Sequence, residues 1–382
     1  MTDILMVFLQ DQWYVPDTDA PSNFDTSIIG DLFDADVGWP VTTDGDSVQF
    51  KHSDLRDEEV LQTSIHYPTG TCYDERYVVS EPESFSTQVE LATGEQVDIG
   101  DYDVVCISHF WMHHYYLRYL LDECPNVSFI GIQEEAVQDL AQTSSTMQAA
   151  HFDTVEKLDG YIAFNEQFRE WIAPHRPNVI QMSLPVPKNQ FPHEPLPRED
   201  RRDAACLGIA TWNVDLANFY SNVRVLDRVR KNGAPHTGEI IGIRDRQRPD
   251  TDGLEERFDF LSVDGFIEEG MYERIADFDF AVILSMRATA GRAAADLAGM
   301  GVPCIGNIHN DFQARCFPDL SVEPHDVPKA IALAERLQTD EAFYQDVVAR
   351  ARREIEDCQN HDYFRDRLER YVDSVATSSA PS

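Results

Sequence analysis

The chain has 382 residues, and its 68 Asp and Glu against 31 Lys and Arg give a formal net charge of −37. With 42% hydrophobic residues it can bury real cores, which excludes a wholly disordered protein, and its length favours two domains. Nucleic-acid binding is disfavoured because phosphate neutralisation needs clustered Lys and Arg. No apolar run approaches the ~18–20 residues of a membrane span, although peripheral membrane contact stays open. The first residues lack the basic region of a signal peptide and predict a strand.

The charge of the chain is distributed in an unusual way. Only five lysines occur, and the acidic residues are spread along the whole length instead of forming one tail. A uniformly acidic surface suits concentrated salt, where screening shortens the Debye length to a few ångströms. The pattern predicts a halophilic, archaeal source, with an ordinary acidic cytosolic protein as the alternative.

The seven cysteines give no sign of a metal or redox site. Their number is odd and no CxxC pair occurs, so neither a zinc site nor a redox motif is indicated. Cys106, Cys206 and Cys304 lie inside apolar runs and are predicted to be buried as small hydrophobes. We therefore expect a reducing, cytoplasmic compartment.

Short apolar runs alternate with helical segments, which predicts an α/β fold with parallel sheets. The first half opens with a strand at 3–9, whereas residues 17–96 are polar and rich in Pro and Gly, with a candidate strand pair only at 77–79 and 87–91. The remaining predicted elements of this half are strands at 102–108, 127–132, 158–164 and 179–182, helices at 113–123 and 166–172, and a long helix between the strands at 127–132 and 158–164.

Five prolines between residues 185 and 197 predict an extended linker, and hence a domain boundary. We expect domains at 1–190 and 191–362, followed by a last helix and a frayed tail at 363–382. Both domains are predicted to be doubly wound and Rossmann-like. The predicted elements of the second half are strands at 204–209, 239–243, 258–262, 280–285 and 302–306 and helices at 219–231, 269–276, 291–300, 327–337, 341–357 and 363–375.

The best candidate for ligand binding is the turn of small residues that follows the strand at 280–285 and opens a helix. Ligands of open α/β sheets bind beyond the carboxyl ends of strands, and a helix N-terminus there attracts anions. Asp296, on the same helix, could meet ribose hydroxyls. Tight strand–helix packing and a solvated Asp296 are the alternatives. The residues that could bind a diphosphate here are Arg287, Ala290, Gly291 and Arg292.

Five segments of the sequence carry a resemblance to a known family: KLDGYIAFNE at 157–166, NVIQMSLPV at 178–186, LSVDGFI at 261–267, IADFDFAV at 275–282 and DLAGMGVPCIG at 296–306. In this order and at these spacings they resemble glycosyltransferases of the family 4 (group 1) type, over about residues 104–373. The resemblance implies the GT-B fold, in which two Rossmann-like domains face each other across a cleft and the C-terminal helix crosses back to the first domain. It also implies that 1–190 binds the acceptor and 191–362 the nucleotide-sugar donor, with no cofactor and no bound metal.

The donor site implied by the resemblance departs from the family pattern. Of the two glutamates that the family places eight positions apart, the second falls on Asp296 and the first on Ala288. The Arg and Lys that usually hold the diphosphate would fall near Ile209 and Ser221 and are absent, and their candidate substitutes are Arg244, Arg246, Arg287 and Arg292. The predicted donor-binding residues are Gly208, Arg244, Phe266, Ile267, Arg287, Thr289, Ala290, Gly291 and Asp296.

A second candidate cluster, HFWMHHYY at 109–116, follows a predicted strand end. His109 or Glu134 could act as a general base on an acceptor hydroxyl, because both follow strand ends of the first sheet. Trp111 and His113 are the candidate acceptor contacts. A metal site and plain packing are the alternatives for the histidines.

The predicted function is transfer of a sugar from a nucleotide-diphosphate sugar to a glycan, lipid-linked or polyol acceptor. Two alternatives stay open. One is a glycosyltransferase-like protein without donor chemistry that acts as a partner subunit or sugar-binding module, and the other is a nucleotide-sugar epimerase of the same fold.

Overall fold

The computed structural model describes residues 3–8, 35–42, 85–91, 93–108, 114–133, 136–141, 145–176, 178–186, 191–192, 194–209, 216–233, 236–243, 249–265, 270–359 and 361–378. The chain forms two compact units. One unit joins Met1–Pro185 to His361–Ser382, and the other is Val186–Asn360. The helices of the described residues are α1 (His114–Glu123), α2 (Val137–Ala141), α3 (Ser145–Val155), α4 (Glu166–Ile172), α5 (Phe219–Lys231), α6 (Pro249–Arg257), α7 (Met271–Ala276), α8 (Arg292–Gly299), α9 (Asp311–Cys316), α10 (Val327–Thr339), α11 (Glu341–Cys358) and α12 (His361–Ser378).

The first unit is built on a mixed sheet. Its described strands are β1 (Ile4–Phe8), β2 (Asp36–Thr42), β3 (Phe85–Leu91), β4 (Gln96–Asp98), β5 (Val104–Ser108), β6 (Ser128–Gln133), β7 (Gly160–Ala163) and β8 (Val179–Gln181). They lie in the order β4-β3-β2-β1-β5-β6-β7-β8. The pairs from β2 to β8 are parallel, while β3 pairs antiparallel with β2 and with β4. The central strands are almost wholly apolar, as expected for strands that are buried on both faces.

The C-terminal helix α12 packs on the sheet of the first unit, as predicted. The Tyr371 hydroxyl accepts a hydrogen bond from the Tyr161 N–H at 2.6 Å and lies 2.7 Å from the carbonyl oxygen of Asn178. A Cβ at Gly160 would lie 2.6 Å from that hydroxyl, so the glycine allows the contact. The helix is longer than the predicted 363–375, and it includes the first two residues of the predicted frayed tail at 377–382.

The second unit contains a wholly parallel sheet in the order β11-β10-β9-β12-β13-β14. Its described strands are β9 (Arg202–Ile209), β10 (Thr237–Ile243), β11 (Leu261–Gly265), β12 (Phe278–Ile283), β13 (Cys304–Asn307) and β14 (Ser321–Val322). Polar caps mark where two of its helices, α10 and α11, begin: the Asp326 carboxylate accepts from the N–H of Lys329, and the Asp340 carboxylate accepts from that of Phe343. The predicted α/β fold with two sheets of parallel strands is thus confirmed, apart from the antiparallel edge of the first sheet.

Several elements differ from their predictions for local reasons. The strand predicted at 258–262 begins only at Leu261, because the Phe258 N–H bonds to the carbonyl of Leu254 and continues α6, and a turn follows. The single long helix predicted before β7 is described as two helices, α2 and α3. β2 and α6 were not predicted; β2 contains Gly38 and Pro40, residue types that disfavour strands. The candidate strand at 77–79 lies outside the described residues.

Candidate functional site

The order of the strands in the second sheet defines where a ligand is expected. From β9 the chain adds β10 and then β11 on one side, and it returns to the other side of β9 to add β12, β13 and β14. The strand order therefore reverses between β9 and β12. In open parallel sheets, ligands bind beyond the carboxyl ends of the strands at such a reversal. The turn 284–291, which follows β12, lies at this position.

A buried asparagine joins the carboxyl ends of β9 and β12. Asn222, on α5, is fully buried. Its Nδ2 donates to the carbonyl of Leu207 on β9 at 2.9 Å, and its Oδ1 accepts from the N–H of Leu284 at 2.9 Å. Asn218, in the left-handed region at φ 57°, donates from Nδ2 to the carbonyl of Leu284 at 2.9 Å. These amides hold the entry to the turn with neutral hydrogen bonds.

Two further asparagines hold the turn itself: Asn307, at the end of β13, and Asn310, in the segment that follows. Asn307 is 1% exposed, and its Nδ2 donates to the carbonyls of Ser285 at 2.9 Å and of Arg287 at 3.0 Å. Asn310 uses its oxygen instead: Oδ1 accepts from the N–H of Thr289 at 2.8 Å. The backbone path of the turn is therefore determined by side chains at the end of the neighbouring strand β13 and just after it.

Gly291 ends the turn and precedes α8. Its φ of 83° lies in the left-handed region, which favours glycine, and a Cβ there would lie 3.0 Å from the Cβ of Asn310. Its N–H donates to the Oγ1 of Thr289 at 3.1 Å. Ala288 and Ala290 are buried, so the small residues of the turn pack closely, as the packing alternative expected. The first intrahelical bond runs from the Ala294 N–H to the Gly291 carbonyl.

Asp296 lies on the second turn of α8 and is 3% exposed, so the solvated alternative for this residue is wrong. Burial raises the pKa of the Asp296 carboxyl, although Arg292 and a hydrogen bond with Tyr272 oppose the rise. The Nε of Arg292 lies 3.1 Å from its Oδ1. The carboxyl group is thus already hydrogen-bonded by two side chains of its own unit.

The amino edge of the same sheet carries a different kind of cluster, centred on Asp279 of β12. Arg198 donates to both carboxylate oxygens of Asp279, from Nε at 2.8 Å and from Nη2 at 3.2 Å. The Nε2 of the buried His236 lies 3.1 Å from Oδ2, and Gln338 Nε2 donates to the same oxygen at 3.0 Å. Burial alone would raise the pKa of Asp279, but these hydrogen bonds outweigh it and lower that pKa to about 2. The guanidinium of Arg198 also stacks 3.9 Å above the ring of Tyr344.

The predicted donor residues that the structure describes fall into two groups. Gly208 lies near the carboxyl end of β9, where a Cβ would overlap the ring of Phe219. The residues that the structure brings together in the β12–α8 segment are Arg287, Thr289, Ala290, Gly291 and Asp296. The candidates that lie outside the described residues are His109, Trp111, His113, Glu134, Arg244, Arg246, Phe266 and Ile267.

The asparagines of the site were not predicted from the sequence. Asn218, Asn222, Asn307 and Asn310 act on backbone groups far away along the chain, and no spacing in the sequence indicates such partners. The one available signal was the position of Asn307 and Asn310 just after the predicted strand at 302–306. In the described ranges, no group of three His, Cys, Asp or Glu side chains could hold a metal ion. None of the helices in the described part of the chain is both long and apolar enough to cross a membrane.

No family model and no curated protein sequence matches the chain. Solved structures do match it. Sucrose-phosphate synthase from Thermosynechococcus elongatus aligns with a TM-score of 0.67 at 12% identity, covering 99% of this chain and 100% of that one. Trehalose 6-phosphate synthase from Burkholderia multivorans gives 0.66 at 10% identity, with 100% and 98% covered. The Anabaena protein HepE, solved in complex with UDP and glucose, gives 0.65 at 10% identity, with 98% and 100% covered. The chain therefore has the GT-B fold of these glycosyltransferases.

Proposed function

We propose that the protein is a glycosyltransferase that moves a sugar from a nucleotide-diphosphate sugar to a glycan, lipid-linked or polyol acceptor. The observation that carries the proposal is the glycine-ended turn 284–291 at the strand-order reversal of a parallel sheet, in a chain with the GT-B fold. In the reaction, an acceptor hydroxyl oxygen bonds to the anomeric carbon of the sugar. The bond from that carbon to the diphosphate oxygen breaks, and the hydroxyl proton passes to a base.

The donor side of the proposal rests on the charges around the turn. The leaving diphosphate gains negative charge, so a guanidinium and helix N–H groups stabilise it as it departs. Arg287 is the proposed phosphate contact, and the start of α8 after Gly291 supplies the N–H groups. Asp296 is proposed to meet the ribose, which requires exchange of its hydrogen bonds with Arg292 and Tyr272. The other proposed donor contacts are Gly208, Arg244, Phe266, Ile267, Thr289 and Ala290.

The acceptor side belongs to the first domain, residues 1–190, and the donor side to residues 191–362. His109 or Glu134 is proposed to take the proton from the acceptor hydroxyl, since His109 directly follows β5 and Glu134 directly follows β6. Trp111 and His113 are proposed to contact the acceptor sugar.

A protein without donor chemistry is the second candidate function. It is favoured by Ala288, which stands in place of the family's first glutamate and is buried. It is also favoured by Asp296, whose carboxyl group is occupied by Arg292. A nucleotide-sugar epimerase of the same fold is the third candidate, and it would release a changed nucleotide sugar without an acceptor.

The test is calorimetric titration of UDP, GDP and dTDP and of their sugars into the parent and into Arg287→Ala and Gly291→Val variants. Arg350→Ala, which removes a surface arginine paired with Asp319, is the control. Circular dichroism and a melting curve establish that each variant is folded. We expect at least one diphosphate to bind the parent and the control, and to bind both turn variants about tenfold more weakly or not at all. If both turn variants bind like the parent, the pocket lies elsewhere, and if the parent binds none, the second candidate function holds.

A further inference from the structure

A groove of about 630 Å³ lies in the second unit, near the amino ends of β10 and β11 and away from the turn after β12. It is formed where the last turn of α5 meets the segment between α6 and β11. We call it the basic groove, because four cationic side chains line it. They are Arg224, Arg230, Lys231 and Arg257.

The basic groove has more positive than negative charge, although the chain as a whole carries −37. Its lining carboxylates are those of Asp227 and Asp259. Asp227 alone accepts from both Arg224 and Lys231, each at 2.8 Å, so one carboxylate is shared by two cations. Asp259 lies 3.8 Å from the guanidinium of Arg230 and its side chain is 95% exposed, so this pair is weak.

Arg257 adds a further cation. Among the residues that the structure describes, no carboxylate lies within ion-pair distance of its guanidinium. Its guanidinium lies 5.9 Å from the ring of Tyr220 and 6.0 Å from that of Phe258. The guanidinium of Arg230 lies 4.2 Å above the ring of Phe260. The Phe260 ring restricts the Arg230 guanidinium before any ligand binds, which lowers the entropic cost of binding.

Helix dipoles explain only part of this arrangement. Cations near a helix C-terminus are favourable, which accounts for Arg230 and Lys231 on α5 and for Arg257 on α6. The helix dipoles do not explain why two such helix ends meet in one groove. They also do not explain the position of Arg224, which lies in the middle of α5. In a chain with 31 cations against 68 acids, four cations that line one groove are a local exception to the acidic charge of the chain.

We infer that the basic groove binds a ligand with a multiply charged phosphate group, at a site distinct from the proposed donor site. A phosphate monoester or diphosphate carries close to two negative charges on several acceptor oxygens, which matches the excess of two cations over carboxylates. A single carboxylate would leave one of these charges uncompensated. Guanidinium groups present paired donors in the geometry that phosphate oxygens accept.

The experiment is a titration of inorganic pyrophosphate in dilute KCl, made without nucleotide in the parent and repeated in the Arg287→Ala background, which weakens the proposed donor site and leaves the groove unchanged. The double variant Arg230→Gln/Arg257→Gln tests the groove. Its control is Arg336→Gln/Arg350→Gln, which changes the net charge equally at surface ion pairs elsewhere in the same unit. We expect the parent and the control to bind pyrophosphate and the groove variant to bind it at least tenfold more weakly. Equal binding by both double variants, or no binding by the parent, overturns the inference.

Two further arms distinguish the site from the proposed function and identify the source of the phosphate. The Arg287→Ala variant should no longer bind UDP, but it should still bind pyrophosphate at the groove. If the parent binds no UDP, the proposed function fails, while the groove titration still decides this inference. Malonate, a dicarboxylate, should bind more weakly than pyrophosphate, and equal binding would overturn the preference for phosphate. Co-sedimentation with phosphatidic acid vesicles, against phosphatidylcholine, separates a lipid headgroup from a soluble phosphate.

Discussion

The two edges of the second sheet are held together by different chemistry. At the amino edge, Asp279 is surrounded by Arg198, His236 and Gln338, and charge-assisted hydrogen bonds fix the start of β12. At the carboxyl edge, the end of the same strand and its turn are held by neutral amides, among them Asn307 and Asn310. Amides position the backbone without adding negative charge where a diphosphate is proposed to bind. The start of β12 is thus held by charged groups, and its end and the following turn are held by neutral amides.

The largest effect is expected from salt, which acts on the exposed acids and hardly on the buried pairs of the amino edge. At −37, self-repulsion opposes the folded state until counterions screen it. We expect the melting temperature to rise by roughly 15 °C between low and molar KCl, a stabilisation of about 4–8 kcal/mol, since about 1 kcal/mol shifts it by about 2–4 °C at this domain size. Calorimetry at both salt concentrations measures it. A midpoint that does not depend on salt would refute the predicted halophilic source.

The amino edge should lose stability when its central carboxylate is neutralised. Asp279→Asn removes the charge that Arg198 and His236 face, and it leaves buried donors opposed by an amide. We expect a loss of about 3 kcal/mol in the free energy of unfolding. Urea denaturation measures the loss, and it should be similar in low and in molar KCl because buried pairs are screened weakly. A loss that disappears in molar KCl would mean that the pair behaves as a surface pair.

Acid should remove the difference in stability between the parent and the Asp279→Asn variant. The pKa of Asp279 is about 2 in the folded protein against 3.8 ordinarily, so its carboxylate contributes stability above pH 3.8 and loses it as the pH falls towards 2. The stability gap between the parent and Asp279→Asn should be constant above about pH 4 and narrow below it. Urea denaturation over pH 2.5–6 measures the gap. A gap that stays constant down to pH 2.5 would contradict the lowered pKa.

At the carboxyl edge, two chemically identical substitutions should have unequal effects. Asn307→Asp replaces the amide that donates to the carbonyls of Ser285 and Arg287 with oxygens that repel them, so we expect a loss of about 2 kcal/mol. Asn310→Asp keeps the oxygen that accepts from Thr289, so its loss should stay under about 1 kcal/mol. Urea denaturation of both variants gives the comparison. Equal losses would show that the amide donors of Asn307 do not hold the turn.

The smallest effect, and one of opposite sign, is expected at Asp296. Burial raises the pKa of this carboxyl, whereas the hydrogen bonds around Asp279 lower the pKa of that residue, so the charged form of Asp296 gains less from its surroundings. Asp296→Asn should therefore leave the free energy of unfolding unchanged or raise it by less than about 1 kcal/mol. The same denaturation experiment at pH 7 decides it. A loss as large as that of Asp279→Asn would remove the difference between the two edges.

Most of the fold could be predicted from the sequence because its strands are apolar and its helices have local signals. The helices Glu166–Ile172 and Phe219–Lys231 lie where they were predicted, and each helical pattern ends near residues that favour caps or turns. β2 was missed because its pairing with β1 and β3 overrides the poor strand propensity of Gly38 and Pro40. β1 and β3 lie far from β2 in the sequence, so the local pattern of residues around β2 does not indicate this pairing.

The candidate site was less accessible to prediction than the fold. The position of the turn followed from an apolar strand that runs into small residues. The partners of that turn could not be found, because Asn307 and Asn310 lie about twenty residues further along and contact it only after β13 has joined the sheet. Asp296 could be placed on a helix, but its burial and its hydrogen bonds with Arg292 and Tyr272 depend on packing.

The position of α12 in the first unit has a consequence for the order of folding during synthesis. The second unit is one continuous stretch, Val186–Asn360, whereas the first unit needs both ends of the chain. Domains fold as they leave the ribosome once their chain is complete. The second unit can therefore finish first, while the backbone of β7 must wait for Tyr371 to bond with Tyr161 and Asn178. Although its strands are synthesised earlier, the first unit is expected to be completed last, and a chaperone would protect it longest.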